Sequence, residues 1–167
     1  MDPVPQWHAI YTRSRSEKKV FERLTREGIE AYVPLRKVLH KWSDRKKWVE
    51  EPLIRSYVFV KIIPEQYFTV LNTPGAVRYV FFSGKAATIP DSQIEMLKII
   101  AGNATDVTIV PGTLKPGTPV KVITGPLIGL TGELIRSSGK NNVVVRIDHL
   151  DQAVTLTISP HFLEAVH

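Results

Sequence analysis

Residues 124–135 read TGPLIGLTGELI, an apolar, β-forming stretch punctuated by Gly125, Gly129 and Gly132. Glycines so placed either cradle a phosphate at the start of a helix or let a chain turn sharply between short strands. A phosphate loop needs Gly, four residues, then Gly-Lys-Ser/Thr. Here Gly139-Lys140 lies too far from Gly132, and Asn141 stands where the metal-binding hydroxyl should follow. The dinucleotide fingerprint fails as well, because Gly132 leads into ELIRS and another strand instead of a capped helix. The three glycines are read as turn and corner positions of a small β-barrel.

The flanking sequence agrees. PVKVITG, LTGELIRS, NNVVVRIDH and AVTLTIS are short β-rich runs with turn signals between them, four or five strands in about 55 residues. NNVVVRID and VTLTIS form strands so strongly that a stable barrel with no helical alternative is expected. Upstream, NATDVTIVPGTLKPGTP (Asn103 to Pro119) has no helical period and carries three Pro and two Gly. It separates a first domain, 1–102, and a linker, 103–112, from the barrel domain, 113–167.

In the first domain QWHAIYT alternates as a strand from Gln6 to Thr12. Ser14 and Glu17 have capping-box spacing, Val20, Phe21 and Leu24 share one face, and Gly28 can stop a helix of about three to four turns. Two β-rich arms, IEAYVPLRKVLHKW and KKWVEEPLIRSYVFVKI, flank the charged turn SDRKK, which predicts a projecting hairpin leading into a buried strand from Tyr57 to Ile62. PEQYFTVLN reads as a short helix entered by Pro64, VRYVFFS as a strand, and DSQIEMLKIIAG as a helix closing at Gly102. The expected fold is an α+β domain, an antiparallel sheet flanked by helices, followed by a small all-β barrel.

Composition narrows the function. The chain has 167 residues, 43% hydrophobic and 23% charged, with no cysteine. Disulfides, thiolate metal sites and a thiol nucleophile are thereby excluded. No apolar run has membrane-helix length, and MDPVPQW has neither a basic nor an apolar signal region, so a cytoplasmic protein without membrane attachment is expected; it is also expected to be a monomer. A net charge of +6 favours a polyanionic partner, most simply nucleic acid. His8, His40, His149, His161 and His167 are scattered without zinc-ligand spacing, and no serine has a nucleophile-elbow context. Asp148, His149 and Asp151 cluster in RIDHLDQ, which reads as a solvated turn. Neither an enzyme nor a cofactor or metal is expected.

Cations and aromatics carry more information. At about 100° per residue, Arg15, Lys19, Arg23 and Arg26 fall in one quadrant of the first helix, opposite Val20 and Leu24. Such a face can track phosphates or simply be solvated. In the hairpin Arg36, Lys37, Lys41, Arg45, Lys46 and Lys47 interleave with Trp42 and Trp48. Either the indoles stack on unpaired bases, or they pair across the two arms with the lysines in solvent. Tyr57 and Phe59 lie on one face of SYVFVKI and Val58 and Val60 on the other. By pattern alone the two aromatics are core residues, the alternative being a docking patch shared with Tyr11.

These residues together resemble the NusG/RfaH transcription elongation factors over nearly the whole chain. WHAIYTRSRSEKKVFERLTREGIEAYVPL is similar to the start of the family's N-terminal (NGN) domain, EPLIRSYVFVKI to its central strand, and GTPVKVITGPLIGLTGELI to the KOW motif that opens the C-terminal barrel. QAVTLTISPHFLEAV looks most similar to the UpxY-type specialised paralogues that serve polysaccharide operons.

The resemblance implies a non-enzymatic elongation or antitermination factor whose first domain binds the clamp helices of the RNA polymerase β′ subunit and reaches towards the β subunit. The clamp contact maps to Tyr11, Tyr57 and Phe59, against the core role that pattern alone favours. Contacts to the non-template DNA strand or nascent RNA map near the first helix, to Arg13, Arg23 and Arg26. The threonine motif that meets the β subunit falls near QYFTVLN, where Thr69 alone matches. In the KOW turn, Leu127 and Ile128 replace the usual Phe and basic residue, favouring a protein partner over nucleic acid. The family's partners for this domain are a small-subunit ribosomal protein or the termination factor Rho. The competing function is a ribosome-associated, RNA-binding KOW protein.

Overall fold

The alternation of QWHAIYT gives strand β1 (Gln6–Thr12), and Trp7, Ala9, Ile10 and Thr12 are buried along it. The computed structural model describes residues 2–103, 107–111, 116–137 and 140–166. It divides the chain into two compact units, Met1–Asp91 and Ser92–His167.

In the first unit β1 is followed by α1 (Glu17–Arg26), β2 (Glu30–Tyr32), β3 (Leu35–Lys41), β4 (Lys46–Pro52) and β5 (Tyr57–Ile62). A 3-10 turn, Pro64–Gln66, then runs into α2 (Tyr67–Leu71), β6 (Ala76–Tyr79), β7 (Phe81–Phe82) and β8 (Lys85–Ala86). The main sheet has the order β2-β5-β1-β6, with every pairing antiparallel. Its helix-side core joins Val20 and Leu24 of α1 to Ile10, Val58, Val60, Ile62 and Tyr79.

The helix α1 ends as its sequence predicts. Gly28 is left-handed (φ 75), the Gly28 N–H donates to the Thr25 carbonyl (3.1 Å), and the Ile29 N–H donates to the Leu24 carbonyl (3.0 Å). These are the paired bonds of a Schellman closure, with Ile29 and Leu24 both buried. The start differs from expectation, because no side chain caps the helix. Arg13 to Ser16 form a turn with Arg15 at φ 60, and the buried carboxylate of Glu17 instead accepts the Ser56 N–H at 2.9 Å. Glu17 thus ties α1 to the entry of β5.

The run VRYVFFS is not one strand. It breaks at Val80, whose N–H donates to the Ala9 carbonyl at 2.9 Å, and Phe81–Phe82 turns away to pair with Lys85–Ala86. At the end of β6, the Tyr79 hydroxyl donates to the Tyr67 carbonyl (2.8 Å) and the two rings stack with centroids 4.3 Å apart. Burial first, and the Tyr67 phenol second, push the Tyr79 hydroxyl pKa well above its ordinary 10.0.

The second unit takes nearly all of α3 (Asp91–Asn103), then β9 (Val107–Pro111), β10 (Thr118–Val122), β11 (Thr131–Ser137), β12 (Lys140–Arg146), β13 (Gln152–Thr157) and β14 (Leu163–Ala165). The six strands form one antiparallel sheet in the order β14-β10-β11-β12-β13-β9. The C-terminal segments read as β-forming are therefore strands. Val143, Val144 and Val145 of β12 are all buried, so both faces of this strand are covered, which the unbroken apolar run anticipates.

The helix α3, expected with the first domain, is grouped with this sheet. The Gln93 amide donates to the Asp148 carboxylate and accepts the Asp148 N–H, each at 2.8 Å, and the Thr131 hydroxyl contacts the Met96 sulfur at 3.3 Å. Of the expected linker 103–112, Val107–Pro111 is the strand β9 paired with β13, and residues 104–106 and 112 lie outside the described residues.

The glycines of the TGPLIGLTGELI stretch split into two roles. Gly125 (φ 88) and Gly129 (φ 93) turn a compact loop closed by Gly129 N–H to Val122 carbonyl and Val122 N–H to Leu130 carbonyl. Gly132 is no corner but lies within β11, where a Cβ would come within 2.7 Å of both Val143 Cγ1 and the Val144 oxygen. Its hydrogen is what lets β12 pack so close.

Candidate functional site

The aromatic row of the first unit is assembled by register. β1 and β5 pair Tyr11 with Tyr57 and Ala9 with Phe59, while β2 sets Tyr32 opposite Phe59. Directly paired residues share a face, so Tyr11, Tyr57, Phe59 and Tyr32 line the side of the sheet away from α1. The Tyr11 and Tyr57 rings lie 4.8 Å apart, and the Arg78 guanidinium from β6 sits 4.8 Å from the Tyr11 ring centroid.

Exposure along this row is uneven. Tyr57 (1%) and Phe59 (0%) are buried, Tyr11 and Tyr32 are half-buried, and Arg78 is exposed. The two central aromatics therefore sit as the alternation alone favours. Sequence reasoning missed Tyr32 and Arg78, which belong to the row only because non-consecutive strands are neighbours.

The cations of α1 are partly rearranged. Arg15 lies in the turn ahead of the helix, which begins at Glu17, and so leaves the helical stripe. Lys19 and Arg26 are exposed, as is Arg13 before the helix. Arg23 donates from Nη1 to the Pro74 carbonyl at 2.7 Å, so its guanidinium is partly committed to holding that loop.

The hairpin β3–β4 forms its own two-stranded ladder from Leu35↔Pro52 to Lys41↔Lys46, closed by Trp42 N–H to the Arg45 carbonyl at 2.8 Å. A five-residue turn SDRKK would set Trp42 directly opposite Trp48. The observed turn places Leu39 opposite Trp48, which puts the indoles on opposite faces and removes the cross-arm tryptophan pair. Trp42 (45% exposed) is attended by Arg45, 5.0 Å from its centroid, and by the His40 ring at 5.8 Å. Trp48 is 66% exposed, and Lys37, Lys41, Lys46 and Lys47 are exposed around the ladder.

In the second unit the Gly125–Gly129 loop exposes Ile128 and Ile123, while Leu127 is half-buried. Leu127, Pro126, Val122, Leu156 and Phe162 line a shallow cavity beside it. Asp148 of the RIDHLDQ cluster is engaged by Gln93, and among the described residues no three His, Asp or Glu side chains gather where they could hold a metal ion. Among the same residues no helix is long and apolar enough to cross a membrane.

Comparison with known proteins adds the family. A family model described as NusG, transcription termination factor nusG, matches residues 5–98. Among solved structures, Thermotoga maritima NusG, described for its domain interaction, is similar over 98% of this chain and 98% of its own, at 21% identity and a TM-score of 0.56. The MjSpt4:Spt5 complex in conformation A matches over 96% of this chain and 97% of its own, at 18% identity and a TM-score of 0.32. The likeness to the Thermotoga protein is one of fold. With the family model matching more than half of its residues, the chain belongs to the NusG family of transcription factors.

Proposed function

We propose that this chain binds the β′ clamp helices of RNA polymerase through the sheet face of Tyr11, Tyr57 and Phe59, extended by Arg78, and suppresses pausing or termination. Bridging from the clamp towards the β subunit would restrain clamp opening by binding energy alone, without an enzymatic step. The observation that carries this reading is the Tyr11–Tyr57 ring pair under the Arg78 guanidinium, since aromatic residues and arginine are what protein hot spots are made of. Tyr57 and Phe59 are buried in the free chain, so docking through them requires that face to open. The half-buried Tyr11 and exposed Arg78 are its accessible edge.

Arg13, Lys19, Arg23, Arg26 and the hairpin cations would meet the non-template strand or nascent RNA. The second unit acts as the KOW domain, presenting Leu127, Ile128 and Phe162 to a small-subunit ribosomal protein or Rho. Service to particular polysaccharide operons, as in the UpxY type, is the most specific part of this reading and rests on the C-terminal sequence. The basic hairpin also favours a ribosome-associated RNA-binding role, which predicts rRNA affinity without polymerase affinity.

Terminator readthrough and pause lifetime on a reconstituted elongation complex test the proposal. Wild type should extend transcripts and bind polymerase, whereas Tyr11→Ala and Arg78→Glu should each lose about tenfold in polymerase affinity while remaining folded. Tyr57→Ala is the poorer probe, because truncating a buried tyrosine also destabilises the domain. Wild type that neither binds polymerase nor alters readthrough would move the assignment to the ribosome-associated alternative.

A further inference from the structure

The two faces of the β3–β4 hairpin carry similar residues in different states. One face holds Arg36 with Glu51, Val38 with Val49, His40 with Lys47, and the turn pair Trp42 and Arg45. There the indole is already attended by Arg45 and His40, and His40 Nε2 lies 3.3 Å from the Glu51 carboxylate. The other face holds Lys37 with Glu50, Leu39 with Trp48, and Lys41 with Lys46. Among the described residues Trp48 has no ring partner there, and Lys37, Lys41 and Lys46 have no ion pair within 4.0 Å.

We infer that the Trp48 face of the hairpin binds an unpaired nucleic-acid strand, one base stacking on the Trp48 indole while Lys41 and Lys46 neutralise the phosphates beside it. The inference deepens the nucleic-acid part of the reading above and rests on it. Trp48 and Lys46 are two residues apart on β4, about 7 Å along the strand, and Lys41 faces Lys46 across the ladder. That spacing is comparable with the distance from a splayed base to its neighbouring phosphate. Glu50, paired with Lys37, makes the base of the hairpin less attractive to phosphate and directs the strand towards the tip.

Three features select this ligand. An exposed indole flanked by unpaired lysines combines the stacking platform and the cationic track that single-strand binders use. A duplex keeps its base faces stacked inside and offers this indole nothing. A protein partner fits less well, because lysine is depleted at protein interfaces whereas arginine is enriched.

The test uses the full chain and fluorescein-labelled oligouridine, oligothymidine and a mixed-sequence duplex, with anisotropy read over a salt series. Both single strands should bind more tightly than the duplex, and their ratio reports whether the 2′-hydroxyl of RNA is read. Trp48→Ala should weaken single-strand binding about tenfold, and Trp42→Ala less than about threefold. The Lys41→Gln, Lys46→Gln double variant should flatten the slope of log K against log salt by about 1.4. Equal loss from the two tryptophan variants, no loss from Trp48→Ala, or duplex binding as tight as single-strand binding overturns the inference and leaves a charge-only hairpin. Absence of all oligonucleotide binding overturns the hairpin's nucleic-acid role altogether, while polymerase docking through Tyr11 and Arg78 stands or falls by its own assay.

Discussion

Tyr57 and Phe59 in β5 and Trp42 and Trp48 in the hairpin are all aromatic residues in alternating, β-rich sequence, yet the first pair is buried and the second exposed. The central strand has neighbours on both edges, β1 and β2, and both of its faces are covered, as the buried Tyr57, Val58, Phe59 and Val60 show. Among the described residues the hairpin strands pair with no other strand, and from Lys41 to Trp48 every residue is exposed. An aromatic in the sheet is explained by packing. Trp42 is covered in part by Arg45 and His40, whereas Trp48 has no ring partner among the described residues and is not explained by packing.

The comparison breaks first on stability. Phe59→Ala should cost about 3–5 kcal/mol in urea unfolding, through lost transfer energy and the cavity left behind. A cost below about 1 kcal/mol would mean that Phe59 is not part of a packed core, and the contrast with the hairpin would lose its basis.

A smaller and pH-dependent effect should come from Tyr79. Tyr79→Phe removes the hydrogen bond to the Tyr67 carbonyl and should cost about 1 kcal/mol near neutral pH. Because the folded state holds the Tyr79 proton more tightly than the unfolded chain, the contribution is complete below the ordinary value of 10.0 and is lost as pH rises beyond it. The gap between wild type and Tyr79→Phe should therefore hold up to about pH 10 and narrow above it in parallel denaturation curves. A gap that stays constant would place the raised phenol pKa in doubt.

The least effect is expected from Trp48→Ala, within about 0.5 kcal/mol of wild type in the same urea experiment. That neutrality sharpens the comparison, since any loss of oligonucleotide binding then belongs to the indole and not to the fold. A penalty near 2 kcal/mol would show the hairpin to be packed like the sheet.

Much of the fold was legible in local signals. Gly28 marked the end of α1 through its left-handed closure, Pro64 marked the entry to the short helix, and the charged SDRKK segment marked a hairpin turn. The capping-box spacing of Ser14 and Glu17 misleads because spacing does not tell which N–H a carboxylate will reach, and Ser56 lies 39 residues from Glu17. Likewise the placement of Gly132 inside β11 depends on how closely β12 approaches, a property of the pair and not of either strand.

By itself the sequence determined most of the elements and their order, the all-β character of the C-terminal strands and, through motifs along the chain, the family, because each depends on neighbours a few residues apart; it did not show the break at Val80 or strand β9 in the linker. Only the tertiary structure decided that Tyr57 and Phe59 are covered while Tyr11 is half open, that Arg78 stands on Tyr11, and that Trp42 and Trp48 face opposite ways. Alternation assigns residues to two faces without saying what covers either. Strand order and turn register, which bring distant residues together, supply that answer.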